Sequence, residues 1–209
     1  MSNSVKSRHL PSVLVRELHA GHREKIRSHL LNLSDQDRSM RFGMHTRDEV
    51  IEKYVANLNF NADALFGVFD HGLKLIGFAH LAYPLLNGKH PTAEFGVSVN
   101  EEGRGKGIGS ALFKRAAIHA RNTKIEILYV HCLSTNKVMM HIAKKAGMAV
   151  EFSYGEADAY LRLPKPTSAS IIKEAVQAQA ADIDYVVKRN LKQSKFLLTQ
   201  LWSFATGNK

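Results

Sequence analysis

Apolar positions along the chain switch between a two-residue and a four-residue period, and the switches mark its elements. Val13–Leu18 reads as a short strand, and His22–Leu33 as a helix with Ile26, Leu30 and Leu33 on one side. Ser34-Asp35-Gln36-Asp37 offers a cap for a second, short helical piece carrying Met40 and Phe42. Thr46 with Glu49 three later reads as a capping box. The helix it opens shows Val50, Ile51, Tyr54, Val55 and Leu58 on one face. Leu65–Phe69 and Leu73–Tyr83 flank Asp70-His71-Gly72 as a hairpin, and a loop follows from Pro84 to Pro91. Ala93–Val99 is a strand, Ile108 to about Asn122 a helix, and Ile125–Cys132 a strand whose composition suggests burial on both faces. Val138, Met139, Ile142, Ala143 and Ala146 mark a helix that stops at Gly147. Val150–Tyr154 and Tyr160–Leu163 pair as a last hairpin across residues 155–158. With the short helical piece set aside, the order is β-α-α-β-β-β-α-β-α-β-β. That order predicts an α/β (α+β) domain with a mixed, mostly antiparallel sheet and helices on both faces.

Residues 1–12 read as a flexible terminus, 13–163 as the domain, and 164–209 as a C-terminal helical extension set off by Pro164 and Pro166. The extension carries an apolar stripe from Ile171 to Phe204 that must bury against something. Packing on its own domain, with Trp202 buried, is the reading adopted. A homodimer through these helices is the alternative, and a membrane-surface role is disfavoured because Lys and Arg do not segregate cleanly.

The stretch with chemistry in it is AEFGVSV-NEEG-RGKGIGS, residues 93–110. A strand runs into Gly103, Gly105, Gly107 and Gly109, and a helix starts at once. Glycines allow positive φ and close backbone approach. Converging N–H groups and a helix N-terminus then favour an anion, and Arg104 and Lys106 add cations. The Walker spacing fails, because Gly107 follows Lys106 and Asn100 stands where its first glycine belongs. The dinucleotide fingerprint fails in every register. The pattern that fits is R-x-x-G-x-G, as Arg104, Gly107 and Gly109.

With that loop, Asn136 and Gly147 at matching spacing, and the wording AEFGVSV…GRGKGIGSAL…KKAGM, residues 13–163 resemble the GNAT acetyltransferases. The wording is nearest to the acetyltransferase domain of bacterial protein-lysine acetyltransferases. The resemblance implies acetyl-CoA as cofactor and an amine acceptor, either a small molecule or a protein lysine. It implies that the backbone at Val97, Ser98 and Val99 holds the pantetheine arm and polarises the acyl carbonyl. It assigns the pyrophosphate to Arg104, Gly105, Lys106, Gly107, Ile108, Gly109 and Ser110. Asn136 is a further candidate contact, with a helix cap as its rival role. Many members carry a tyrosine acid seven residues beyond this Asn; here that position is Ala143. Either the thiolate leaves unaided, the reading ranked first, or Tyr129, His131 or Ser134 assists.

An acceptor ammonium, with a pKa near ~10, must lose a proton before it can attack. Glu94, at the start of the central strand, is the candidate base. Desolvation would raise its pKa toward a useful range, and a strand-end salt bridge is its bland alternative. An N-acetyltransferase is therefore expected, with a non-catalytic acyl-CoA-binding or sensory domain as the alternative.

Charge sharpens this. The 209-residue chain has a net charge of +10. Residues 101–150 hold nine Lys or Arg against three Glu, which a polyanionic cofactor accounts for. No nucleic-acid motif accompanies the charge, and the eleven histidines show no metal spacing. No run spans a membrane, no signal peptide opens the chain, and Cys132 is the single cysteine. A cytoplasmic location is the expectation.

Overall fold

The computed structural model describes residues 13–83 and 90–205. The expectations for 1–12 and for most of the loop after Tyr83 lie outside the described residues. Seven strands form one sheet: β1 (Arg16–Glu17), β2 (Ala64–Phe69), β3 (Leu75–Ala82), β4 (Thr92–Val99), β5 (Ile127–Leu133), β6 (Ala149–Ser153) and β7 (Glu156–Arg162). Their spatial order is β1-β2-β3-β4-β5-β7-β6. All neighbours are antiparallel except β4 and β5, so the sheet is mixed and mostly antiparallel as expected.

Helices cover both faces. On one lie α1 (Arg23–Leu31), α2 (Asp35–Phe42) and α3 (Asp48–Ala56), and on the other α4 (Ile108–Asn122) and α5 (Lys137–Ala146). Strand alternation divides the core accordingly. Phe66, Leu81, Phe95, Leu128 and Val130 pack against Leu112, Ala116 and Ile142. Leu65, Leu75 and Phe78 pack against Ile26, Leu30, Ile51 and Val55.

One local reading holds and several change. Ser34 caps α2 by accepting from the Asp37 N–H at 3.2 Å. No capping box opens α3: its N-cap is Arg47, without a side-chain bond. The buried Thr46 hydroxyl instead donates to the Met44 carbonyl. Leu73 takes φ +63, which ends any strand there, so β3 begins at Leu75. β5 is buried on one face only, because Tyr129 and His131 look away from the core. The final hairpin turns at Tyr154-Gly155, φ +47 and +90, the two positive values that suit a tight hairpin turn. Residues 156–158 belong to β7.

The extension is one helix, α6 (Ser168–Ala205). Its apolar stripe does not pack on the domain, contrary to expectation. Ile172, Val176, Ile183 and Leu198 are all more than half exposed. The inward face is polar: Glu174 accepts from Arg115, His119 and Asn122 at 2.6–2.7 Å. Hydrogen bonds and charge, not hydrophobic spacing, fix which side docks. The expected burial of Trp202 falls outside the described side chains.

Candidate active site

The parallel pairing of β4 with β5 covers only Thr92–Ile127, Ala93–Leu128 and Glu94–Tyr129. Beyond it, β4 stays on β3 through Val99 while β5 stays on β7 through Leu133. The two strands part, and a cleft of about 400 Å³ opens between Phe95–Val99 and Val130–Cys132. The Asn100 N–H reaches the Ile76 carbonyl at 3.1 Å. Antiparallel alternation then turns the Ser98 N–H toward β3 and leaves those of Val97 and Val99 facing the open edge. Sequence reasoning grouped all three amides; the register separates them.

At the far end of β4 the backbone makes a short 3₁₀ turn, Glu101–Gly103, capped by Asn100. Gly105 and Gly107 follow at φ +72 and +74. No atom lies within 4 Å of where a Cβ would stand at either, so backbone conformation, not crowding, asks for glycine. Gly107 is the N-cap of α4 and offers no side chain. The Ala111 N–H bonds the Gly107 carbonyl, which leaves those of Ile108, Gly109 and Ser110 without intrahelical acceptors. No acidic residue occupies this first turn. The result is an uncapped, positive helix end facing the cleft's mouth. Arg104 spans from the turn to Asp37, and Lys106 is exposed.

Asn136 does cap α5, accepting from the Met139 N–H at 3.0 Å. Its amide nitrogen meets the Met40 carbonyl at 3.4 Å, and it also lines the cleft.

Glu94 stands at the last paired rung, between Ala82 and Tyr129. It lines the cleft and is exposed, and among the described residues no hydrogen bond or ion pair holds its carboxylate. On the same face runs a chain that the sequence did not reveal. Arg41 donates to the Tyr54 hydroxyl at 3.0 Å. That hydroxyl lies 2.8 Å from His80 Nδ1, and His80 Nε2 lies 3.1 Å from Asp63. The Arg41 guanidinium fills the space over Gly96, where a Cβ would fall 2.6 Å from it. Burial pushes the His80 pKa down and the Tyr54 pKa up. A neutral imidazole between phenol and carboxylate is the consistent state.

Across β5, the Tyr129 hydroxyl donates to Asp158 at 2.6 Å and His131 Nδ1 lies 2.8 Å from the same oxygen. The Asp158 hydrogen bond raises the His131 pKa. Burial raises that of Tyr129, with Asp158 adding to it. Ser134 gives its hydroxyl to the Gly155 carbonyl. Ala143 is fully buried against the core. The helical spacing already contained Tyr54, and the strand pattern His80, but only the sheet register brings them together beside Glu94.

Known proteins share this fold. A match to the spermidine N(1)-acetyltransferase of Vibrio cholerae is 30% identical over 105 residues, 50% of this chain and 60% of that protein. The chain thus matches less than two thirds of that relative's length. Among solved structures, the GNAT domain of S. lividans PAT superposes with a TM-score of 0.60 at 21% identity, covering 71% of this chain and 89% of that one. The Vibrio cholerae spermidine N-acetyltransferase in complex with CoA and spermine gives 0.56 at 25%, covering 72% and 95%. Residues 29–148, from α1 through the uncapped end of α4 to the close of α5, match the family described as Acetyltransferase (GNAT) family, and the chain belongs to that family.

Proposed function

We propose that the protein is an acetyl-CoA-dependent N-acetyltransferase acting on a cationic primary amine, with Glu94 as general base. The observation that carries this reading is the parting of β4 from β5 directly after the Glu94–Tyr129 rung. It leaves open backbone N–H groups, a cleft and a carboxylate at one point. The uncapped α4 terminus after Gly107 suits a pyrophosphate. Acetyl-CoA supplies a thioester, whose C–S bond breaks as the new C–N bond forms. Glu94 takes the acceptor ammonium's proton, directly or through water. The Val97 and Val99 N–H groups donate to the acyl carbonyl and the arm behind it. No tyrosine stands at Ala143 to protonate the thiolate, so it departs as the anion, and the second proton of the acceptor nitrogen passes to solvent as the amide forms.

Glu94, which lines the cleft, favours a cationic acceptor over an anionic one. The Vibrio cholerae relatives are spermidine acetyltransferases, which makes a polyamine one candidate and a protein lysine the other. Cys132 is free and buried, in keeping with a reducing cytoplasm. The second reading, an acyl-CoA-binding domain without turnover, draws on Ala143. Free-thiol release from acetyl-CoA separates the two, measured with spermidine, with a lysine-bearing peptide and without amine. Amine-dependent release supports transfer; CoA binding without release on any amine supports the second reading.

A further inference from the structure

Arg41 is a cation without a counter-ion in the wall of the cleft. It is largely buried and lines the same cleft as Glu94. Its Nη2 donates to the Tyr54 hydroxyl, and its guanidinium lies 5.1 Å and 5.6 Å from the centres of the Phe42 and Tyr54 rings. Its Nε is enclosed with no hydrogen-bond partner. Among the described residues no carboxylate pairs with it; Asp37, one turn back on α2, holds Arg104, and Asp63 holds His80. Taking a guanidinium out of water is costly unless an anion compensates. Two rings and a phenol offset only part of that cost.

The central strand gives up a side chain to admit this cation. Gly96 stands in the middle of β4, where a glycine weakens a strand and marks a close approach. A Cβ there would meet the guanidinium at 2.6 Å. Glu94 and Gly96 are alternate residues of one strand, so they face the same side of the sheet, about 7 Å apart. Both charges also reach Tyr54: after burial, Arg41 acts to lower its pKa and Glu94 to raise it. A free carboxylate and a free guanidinium therefore stand next to one another along β4 without pairing. Their spacing is that of a small zwitterion with a charge-assisted hydrogen bond at either end. A polyamine suits this pair poorly, because its second ammonium meets a cation.

We infer that the acceptor carries a carboxylate beside its reacting amine, and that Arg41 holds this carboxylate while Glu94 takes the ammonium's proton. The inference rests on the transferase reading and narrows its acceptor. Arg41 exchanges no proton in the transfer; it sets specificity. Two sources share this chemistry, a free α-amino acid and a peptide lysine flanked by an acidic residue.

Thiol release from acetyl-CoA tests this with matched acceptors. Free α-amino acids are set against their amides, Glu-flanked lysine peptides against the same peptides flanked by Gln, and spermidine against both. Rates are compared per unit of unprotonated amine, because an amide lowers the neighbouring amine's pKa. The expected kcat/KM is at least about ten-fold higher for the carboxylate member of one pair, the range of a hydrogen bond to a charged group. The pair that shows it identifies the source. Arg41→Gln abolishes the preference through KM, Arg41→Lys keeps part of it, and both keep wild-type CoA affinity by calorimetry. The wild-type comparison needs no variant. Amides and Gln-flanked peptides that match their acidic counterparts overturn the inference and leave the transferase reading standing, as does spermidine outpacing every acid-bearing acceptor. A carboxylate preference that survives Arg41→Gln overturns the assignment of Arg41. Release with no acceptor in any arm removes the transferase reading itself, and this inference falls with it.

Discussion

Arg104 Nη2 lies 2.5 Å from both carboxylate oxygens of Asp37, so the cation of the glycine-rich turn already has an anion before any phosphate arrives. The bridge ties the first turn of α2 to the approach to α4, across the mouth of the cleft. It is half-exposed on the arginine side, so it is readily exchanged.

The first prediction follows from that competition. Asp37→Asn frees Arg104 and tightens CoA binding by about two- to five-fold, the range of an exposed ion pair. Arg104→Gln weakens binding, and the double variant behaves like Arg104→Gln alone. Calorimetry at two salt concentrations checks this. Equal gains from Asp37→Asn with and without Arg104 would show that the arginine does not reach the ligand.

The glycine turn supplies a second test. Gly107→Ala forces a Cβ into a left-handed conformation at a cost of roughly 1 kcal/mol, and it turns the first N–H groups of α4 away from a common point. Gly109→Glu sets a carboxylate in the helix end that lacks one, and its Cβ meets Ile142 at 3.3 Å. Both variants are expected to remain folded and to lose CoA affinity, Gly109→Glu by more than about ten-fold. Unchanged affinity by calorimetry in either variant would remove the turn from the binding site.

A third expectation concerns acid stability. His29 is buried between α1 and β4, with Nδ1 2.9 Å from the Leu75 carbonyl and Nε2 2.9 Å from the Ser98 hydroxyl. The carbonyl fixes the tautomer: Nδ1–H donates, and Nε2 accepts from Ser98. Burial pushes its pKa down to about 4. Because the unfolded imidazole binds its proton first, stability is full above about pH 6.5 and falls as pH drops toward 4. The full loss amounts to about 3 kcal/mol. Urea unfolding of wild type and His29→Gln at pH 7 and pH 4.5 checks it, the variant showing the flatter response. Parallel pH curves would assign the acid limb to other groups.

What the sequence revealed and what it hid divide along physical lines. The glycine turn, the start of α4 and the cap at Gly147 were legible because each is a local conformational demand met within a few residues. The central strand was legible from its alternation, and Glu94 from its position in it. Arg41, Tyr54, His80 and Asp63 come from α2, α3, β3 and the segment before β2. Their meeting depends on the β3–β4 register and on Gly96 yielding space to a guanidinium, neither of which a one-dimensional pattern contains. The docking side of α6 was misread for a related reason. Hydrophobic spacing located the stripe correctly, but Glu174, drawn to Arg115 and His119, turned that stripe outward.

The last prediction is mechanistic. Glu94 ends the part of β4 that pairs with β5, lines the cleft, and has no partner among the described residues to compete for its lone pairs. Glu94→Gln preserves shape and removes basicity. Base assistance is typically worth ~10²–10⁴-fold, so turnover should fall within that range. Acetyl-CoA affinity should hold, because nine residues, including the whole outer half of β4, separate Glu94 from Arg104. Raising the pH should partly restore the variant, since more of the amine is then already neutral, and the ascending limb of the wild-type profile should be lost. Ala143 sharpens the outcome. With no phenol at that position, the descending limb that a tyrosine acid imposes at high pH should be absent from both enzymes. The Arg41–Tyr54–His80–Asp63 chain offers a control on the same face. Tyr54→Phe removes the link between guanidinium and imidazole but no base beside the acceptor, so it should shift the Michaelis constant more than the shape of the pH profile. If Glu94→Gln turns over at the wild-type rate with the same profile, Glu94 is structural. His131 then becomes the group to test, because Asp158 holds it on the same face and it also lines the cleft. Its raised pKa means that it would serve as a base only above the usual imidazole range, which would move the ascending limb upward in pH.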